Sequence, residues 1–481
     1  MFILIILYVI NIINCILEYK FIQKKFPINI FKKYNIDNLY KNITNNNKKL
    51  RKLEYIELNT ISSYQNVFTI KILIGSNKEE FNVIFDTGSI ILWIAGKDSD
   101  DKYPLKHHFD YKNSTTFYTD YSSFSVIYGS GSCSGIYGND NIYINENKYV
   151  SLNFGIAKKT DVNFNDLADG IVGIGKYYND KNLYFIGQLK EQNIIEKNIF
   201  SVKTFLNNTG ILYIGDEHQD FNNTDNNKLI PNIKLIDSYL LEKNYWTGTL
   251  QYITIGNRNK KNYRKNSIPI FSNVIFDTGT TLNIINDKYL LNDILKMLSN
   301  ENNCIIKRIE GIGIILCENI NNMPNISFTF DGYSFIIPNQ LIFNDSAYII
   351  NDTKIDKKYK YFCNILSANM GVGMSLIGMP FFQTYHVLFD NDKNRLKVFS
   401  ENNDYILNVK NMIGFFSDIN LYFVYFIFIL VIGGMLYLSR LYYYKMKFVD
   451  KIKEYDIQIN NVDNFLDNNL IDDNNKILID N

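Results

Sequence analysis

The stretch that decides the fold is Asn82–Gly88, which reads NVIFDTG and occurs again, letter for letter, at Asn273–Gly279. Seven identical residues repeated 191 positions later indicate a duplicated unit. Ser89 follows the first copy and Thr280 follows the second, so that a hydroxyl side chain continues each one. The repeat therefore predicts two lobes of similar plan, related by an approximate two-fold axis.

Each copy places one aspartate at the end of an apolar strand. Val83–Phe85 leads into Asp86, and the glycine two positions later permits a tight turn. We expect the hydroxyls of Thr87 and Ser89 to hydrogen-bond the backbone and the carboxylate. Two-fold symmetry would bring Asp86 and Asp277 face to face, where two like charges about 3 Å apart share one proton.

Such a pair of carboxyls supports hydrolysis of a peptide bond. One carboxylate acts as general base towards a water molecule, while the protonated partner donates to the carbonyl of the substrate. Neither a metal ion nor a covalent intermediate is needed. We expect no cofactor and no metal site, because the four histidines show no ligand-type spacing.

Composition and charge favour a β-rich protein that does not bind nucleic acid. The 50 Lys and Arg nearly balance the 49 Asp and Glu, and the net charge of +1 gives no basis for attraction to phosphates. Short runs of Ile, Val, Tyr and Phe alternate with Asn, Asp and Gly between residues 54 and 400, which predicts an all-β fold. The charge is segregated, since residues 18–53 carry +8 and residues 54–439 carry −5.

Two apolar runs mark the ends of the chain. Phe2–Ile10 predicts a signal peptide within residues 1–17, with an uncleaved anchor as the alternative. Leu421–Ser439 holds 19 uncharged residues and predicts a C-terminal transmembrane helix. Basic residues follow from Arg440, so the positive-inside rule predicts a single-pass type I protein with a luminal or extracellular body. The Asn- and Asp-rich tail, 440–481, is expected to be cytosolic and disordered.

Taken together, these features resemble the pepsin-like aspartic proteases over roughly Ser62–Ser400. Trp93 stands where that family has the tryptophan that contacts its flap, and Tyr128–Gly135, YGSGSCSG, resembles the flap hairpin. Asp169–Gly173 resembles the element that closes the first lobe, whereas the equivalent element of the second lobe has Met379 in place of an aspartate. The composition is similar to that of plasmepsins from apicomplexan parasites.

The resemblance implies a bilobal fold, with an N-terminal lobe at 54–230, a C-terminal lobe at 231–410 and a basic prosegment at 18–53 that inhibits the cleft. It implies that Asp86 and Asp277 are catalytic. The residues implied to bind substrate are Gly88, Ser89, Tyr128, Gly129, Ser130, Gly279 and Thr280. Those implied to line the pocket for the residue before the cut are Ile84, Tyr128, Val162, Ala168 and Ile171.

Four cysteines lie in the predicted luminal body, and they allow three full pairings. The resemblance implies a disulfide between Cys317 and Cys363. Cys304, only 13 residues before Cys317, is the competing partner and would leave Cys363 unpaired.

The resulting hypothesis is a monomeric, membrane-tethered aspartic endopeptidase, favoured by acid, made as a zymogen and acting on proteins or peptides. The alternative is a catalytically silent, peptide-binding membrane protein of the same fold. A cysteine hydrolase using Cys133 lacks a supporting histidine motif. A nucleotide-binding loop at Gly129–Gly135 is disfavoured, because the stretch is not GxGxxG and opens no helix.

Overall fold

The computed structural model describes residues 54–410 with gaps, and residues 430–451 and 453 near the C-terminus. The gaps are 62–66, 104, 146–147, 165–167, 177–182, 206–208, 223–227, 237–244, 257–264, 299, 310, 346–355 and 369–373. The predicted signal segment, the prosegment and the end of the tail lie outside the described residues.

Within the described part of residues 54–410 the chain forms 25 strands and four short α-helices. Strands β1–β11 are, in order, Glu54–Ile61, Val67–Ile74, Glu79–Asp86, Leu92–Asp101, Ser123–Tyr128, Gly131–Asn145, Lys148–Thr160, Gly170–Gly173, Ile199–Thr204, Thr209–Ile214 and Asn232–Lys234. Strands β12–β25 are Thr247–Ile255, Ser267–Phe276, Asn283–Ile285, Ile305–Ile309, Ile312–Cys317, Ile326–Phe330, Tyr333–Ile337, Phe343–Asp345, Tyr361–Cys363, Ile365–Ser367, Ser375–Ile377, His386–Asp390, Arg395–Phe399 and Ile406–Asn408. Helices α1–α4 are Phe185–Glu191, Leu290–Met297, Asn339–Ile342 and Met379–Thr384.

The strands of the described chain assemble into two large sheets. The first has thirteen strands in the order β11-β24-β23-β9-β10-β1-β2-β3-β8-β4-β7-β6-β5. The second follows the order β19-β20-β16-β21-β14-β22-β13-β12-β17-β18-β25, and β15 pairs with β16 beside it. Strands β23 and β24 come after most strands of the second sheet but complete the first sheet, so the second half of the sequence contributes to both sheets.

Aromatic side chains join the two halves in a common core. Phe200 of β9 stacks on Phe389 of β23 with ring centroids 4.6 Å apart, and Trp246 packs edge-on against both rings. The indole N–H of Trp246 donates to the carbonyl of Ile174 at 3.0 Å, which links the halves by a buried hydrogen bond. The predicted β-rich, bilobal architecture is confirmed.

The predicted disulfide between Cys317 and Cys363 is wrong. Cys317 is bonded to Cys304 instead, and Cys363 is a buried free thiol. Strand register explains the difference, because Tyr361 lies opposite Cys317 across β16 and β20, two positions away from Cys363. In the β15–β16 hairpin, Ile305 lies opposite Leu316, so the next pair along the hairpin is Cys304 and Cys317.

Residues 421–429 of the predicted transmembrane segment, 421–439, lie outside the described residues, and residues 430–439 begin a helical stretch that continues through 451. This stretch exposes large apolar side chains, including Leu430, Ile432, Met435, Leu436 and Leu438. No helix in the described part of the chain has both the length and the apolar character needed to cross a bilayer.

We expect Cys304→Ser to lower the free energy of unfolding by about 3 kcal/mol, since the bond closes a short loop and constrains the unfolded chain. Chemical denaturation measures the loss. Cys363→Ala is the control, because it removes a buried thiol while leaving the disulfide in place. A linked peptide containing Cys363 in a non-reducing digest would contradict the pairing.

Candidate active site

Each aspartate of the repeated motif follows a strand that lies beside a parallel neighbour. Strand β3 ends at Asp86 and pairs with β8, whereas β13 ends one residue before Asp277 and pairs with β22. The N–H of Ile174 donates to the carbonyl of Asp86 at 2.7 Å, and the N–H of Asp277 donates to the carbonyl of Ile377 at 2.9 Å. The two copies therefore have related backbone settings in the two sheets.

The glycines of the motif bring the two aspartates together. The N–H of Gly88 donates to Asp86 Oδ1 at 2.8 Å, and the N–H of Gly279 donates to Asp277 Oδ1 at 2.8 Å. A Cβ atom on Gly88 would lie 2.6 Å from the Asp277 carboxyl, and one on Gly279 would lie 2.5 Å from Asp86 Oδ1. Each glycine thus orients its own aspartate and leaves room for the opposite one, so that Asp86 and Asp277 face each other.

The hydroxyl groups after the two motifs differ in their contacts. Thr280 Oγ1 donates to Asp277 Oδ2 at 2.5 Å. Ser89 Oγ is buried beside Asp86, close enough to lower the pKa of that carboxyl, but without a hydrogen bond of regular geometry. The two carboxyls therefore have unequal surroundings, although their backbone settings match.

The pKa of the Asp86 carboxyl is raised well above its usual value. Burial is the largest cause, and the nearby negative charge of Asp277 is the next. The hydrogen bond from Gly88 and the hydroxyl of Ser89 lower this pKa but do not outweigh the first two effects. One carboxyl of the pair therefore retains a proton at pH values where an isolated aspartate is ionised.

Thr87 and Thr278 connect the two motifs through reciprocal hydrogen bonds. The Thr87 hydroxyl donates to the carbonyl of Phe276 at 2.7 Å, and the Thr278 hydroxyl donates to the carbonyl of Phe85 at 2.8 Å. Each hydroxyl also accepts the backbone N–H of the other threonine, at 2.9 and 3.0 Å. The sequence predicted a backbone bond for Thr87, but the bond is made to the other half of the molecule.

A hairpin of β5 and β6 forms the predicted flap. Tyr128 ends β5 opposite Gly131, and the tip residues Gly129 and Ser130 are exposed. The Tyr128 hydroxyl accepts a hydrogen bond from the indole N–H of Trp93 at 2.8 Å. The family resemblance implied this contact between Trp93 and the flap. The flap tyrosine is therefore held towards the side of the cleft that contains Trp93.

Asp161 fixes the second strand of the flap, a contact that the sequence did not reveal. Its carboxylate accepts the backbone N–H of Ser132, and its own N–H donates to the Ser132 carbonyl at 3.0 Å. Gly131 makes this approach possible, because a Cβ there would lie 2.7 Å from the Asp161 carbonyl oxygen. The two segments are 29 residues apart, so no local motif marks the contact.

The residues predicted to line the substrate pocket lie in one apolar cluster, separate from the main core. Val162, Ala168 and Ile171 are buried within it, and Ile84 and Tyr128 pack against it. Two further members, Trp93 and Phe164, have ring centroids 5.7 Å apart. The cluster lies between the flap and the strand that carries Asp86.

Cys133 and Met379, two residues that the sequence singles out, are both buried. Burial raises the pKa of the Cys133 thiol to about 12, which keeps it protonated and argues against a cysteine nucleophile. Met379 is fully buried at the start of α4, where its thioether occupies an apolar core.

Two β-sheets carrying paired Asp-Thr-Gly turns under a hairpin flap are the architecture of the pepsin-like aspartic proteases. A profile of the family described as "Eukaryotic aspartyl protease" matches residues 67–400, and the chain belongs to that family.

Known relatives agree with this assignment. Pepsin A of Gallus gallus is 26% identical over 336 residues, covering 68% of this chain and 82% of the relative. Plasmepsin VIII of Plasmodium berghei (strain Anka) is 27% identical over 345 residues, covering 68% and 85%. Vacuolar protease A of Arthroderma otae is 28% identical over 285 residues, covering 56% and 63%. The resemblance to pepsin-like and plasmepsin-like proteins is confirmed.

We expect Thr278→Val to lower the free energy of unfolding by about 2–5 kcal/mol. The substitution keeps the side-chain shape but leaves the buried Phe85 carbonyl and Thr87 N–H without partners. The matched control is Thr254→Val, because the Thr254 hydroxyl pairs with the Ser267 hydroxyl within one sheet and does not connect the two halves. The free energy of unfolding is measured by urea denaturation. Equal losses in the two variants would show that the hydrogen bonds between the halves stabilise the protein no more than a hydrogen bond within one sheet.

We expect Asp161→Ala to speed hydrogen exchange of the flap amides about tenfold, because the second strand loses its anchor. Asp161→Asn retains an acceptor oxygen and should stay close to the unsubstituted protein. Asp120→Ala serves as the control, as that carboxylate accepts the N–H of Ser122 at the base of the same hairpin. Unchanged exchange in Asp161→Ala would remove the anchoring role.

Proposed function

We propose that this protein is an aspartic endopeptidase in which Asp86 and Asp277 activate a water molecule to hydrolyse peptide bonds. The observation that carries the proposal is the facing pair of buried aspartates, each oriented by its own glycine N–H. The raised pKa of Asp86 supports a pair that shares a single proton in acid. Family membership supports the same chemistry.

The reaction follows from the shared proton. A water molecule held between the carboxyls loses a proton to the ionised member and attacks the peptide carbonyl carbon. The protonated member donates to the carbonyl oxygen, which gives a tetrahedral diol. The protonated carboxyl then donates a proton to the nitrogen while the ionised one takes a proton from a hydroxyl of the diol. The C–N bond breaks to give a carboxylic acid and an amine, and the pair is again singly protonated. Gly88 and Gly279 hold the carboxyls during these transfers.

The substrate is an extended peptide lying between the flap and the aspartates. Backbone groups at Gly129 and Ser130 are exposed at the flap tip and available to bond the peptide main chain. The apolar cluster around Trp93 favours a bulky apolar side chain before the cut, since the small side chain of Ala168 leaves room there. Ser89 and Thr280 bind beside the reacting carbonyl.

Three further parts of the proposal are supported by the charge pattern, the uncharged run near the C-terminus and the disulfide. The basic segment 18–53 opposes an acidic body in charge, which suits an inhibitory prosegment that acid releases. The uncharged run 421–439, followed by basic residues, suits a membrane tether with the catalytic lobes luminal or extracellular. A disulfide at Cys304 and Cys317 suits the same oxidising compartments.

The test is cleavage of a peptide library by the full chain between pH 3 and pH 8, with and without acid pretreatment. Activity should fall as pH rises through the raised pKa of Asp86, because the shared proton is then lost. It should also fall in strong acid, where both carboxyls become protonated. Pepstatin should block it.

Asp277→Asn should lower kcat at least about 1,000-fold, since it removes one partner of the proton exchange. The control is Asp293→Asn, an exposed aspartate of α2 that pairs with Lys296 and should leave kcat unchanged. Absence of cleavage in the acid-treated protein would favour the catalytically silent, peptide-binding alternative. Activity that survives Asp277→Asn would show that another group performs the chemistry.

A further inference from the structure

Two of the four histidines meet one aspartate at the first sheet, beside the neighbouring strands β23, β9 and β10. His386 begins β23, and His218 and Asp220 lie just after β10. Asp220 Oδ2 is 2.8 Å from His386 Nδ1 and 3.3 Å from His218 Nδ1. One ligand-type atom from each residue lies within 4.8 Å of the other two. Asp220 and His386 are 166 positions apart in the sequence, so no motif of fixed spacing indicates the cluster.

The Nδ1 atom of His218 accepts a long hydrogen bond from the backbone N–H of Asp220, with a donor–acceptor distance of 3.3 Å, and it lies 3.3 Å from Oδ2 of the same residue. A cation placed between Nδ1 and Oδ2 would exchange this long hydrogen bond for bonds to both atoms.

The surroundings resemble those that orient metal ligands. His386 Nε2 lies 2.9 Å from Ser201 Oγ, so the second ring nitrogen has a partner that fixes the orientation of the ring. Tyr213 packs on His218 and Phe221 packs on His386, with centroid distances of 4.3 and 4.5 Å.

Lys203 is the group that opposes a cation at this position. Its Nζ atom donates to Asp220 Oδ2 at 2.9 Å and lies 3.2 Å from Glu401 Oε1. A cation that takes Oδ2 displaces the first contact, but Glu401 keeps the ammonium paired, and the second oxygen of Asp220 stays available. Asp220, Glu401 and Lys203 together carry a charge of −1, which attracts a divalent ion.

We propose that His218, Asp220 and His386 bind a divalent transition-metal ion of the zinc type. Two imidazole nitrogens and one carboxylate oxygen are the borderline donors that zinc prefers, and three protein ligands leave one position for water. Ligands that share a zinc ion lie about 3.4 Å apart for bond lengths of about 2.1 Å. The 2.8 and 3.3 Å contacts are close to this spacing, so small side-chain rotations complete the site.

The role of the ion is structural. It joins the segment after β10, in the first half of the sequence, to β23, which the second half adds to the same sheet. The three side chains are 2–14% exposed, so a bound ion is shielded while one ligand position remains reachable by solvent. The site is independent of the proposed protease chemistry, because none of its residues contacts the aspartate pair.

The experiment uses the full chain, stripped of metal by a chelator and titrated with Zn²⁺ against a coloured zinc indicator at pH 7. We expect one Zn²⁺ per chain, and a melting temperature that rises with Zn²⁺ concentration. Co²⁺ in place of Zn²⁺ should give the visible absorption of a four-coordinate site. Because His386 is deeply buried, the two more accessible ligands are substituted, as His218→Asn and Asp220→Asn, and each should weaken binding at least about 100-fold.

Two controls separate this site from others. His108→Asn alters a histidine that pairs with Asp101 alone, and it should leave Zn²⁺ binding unchanged. Asp86→Asn should also retain it, which excludes binding by the aspartate pair. Failure of the full chain to bind Zn²⁺ overturns the proposal. Binding that persists at full strength in His218→Asn and Asp220→Asn overturns it as well, because the ion then lies elsewhere.

Discussion

The reciprocal hydrogen bonds between Thr87 and Thr278 are the contact on which the rest of the structure depends. Each threonine bonds the backbone that leads to the other aspartate, so neither aspartate has its position unless the two halves are joined. Buried N–H and carbonyl groups that lose their partners are costly, and this cost opposes any sliding of one half past the other. The facing carboxyls, the raised pKa of Asp86 and the space left by two glycines all follow from this fixed junction.

Much of this arrangement could be predicted from the repeated heptapeptide. Duplication implies symmetry, and symmetry implies facing aspartates, so Asp86 and Asp277 needed no structure to be brought together. The disulfide could not be predicted in the same way, because pairing depends on strand register, and a two-residue offset separates Cys317 from Cys363. The anchoring of the flap by Asp161 also depends on how distant strands align, which no local pattern records.

The two facing carboxyls have unequal surroundings. The two motifs have matching backbone geometry, yet the hydroxyl of Thr280 bonds its carboxylate, whereas that of Ser89 does not bond Asp86 with regular geometry. The asymmetry therefore distinguishes the two carboxyls. It extends to the strands, since β3 ends at Asp86 whereas β13 ends one residue before Asp277.

The late strand β23 has a consequence for synthesis of the protein. Its partner β9 emerges from the ribosome first, and 185 residues separate His386 from Ser201 on that partner. At roughly 5–20 residues per second, the edge of β9 stays unpaired for about 10–40 s. An open strand edge rich in apolar residues is a template for pairing with other nascent chains. The first sheet is therefore complete only after β23 has been made, and the edge of β9 stays open to other chains until then.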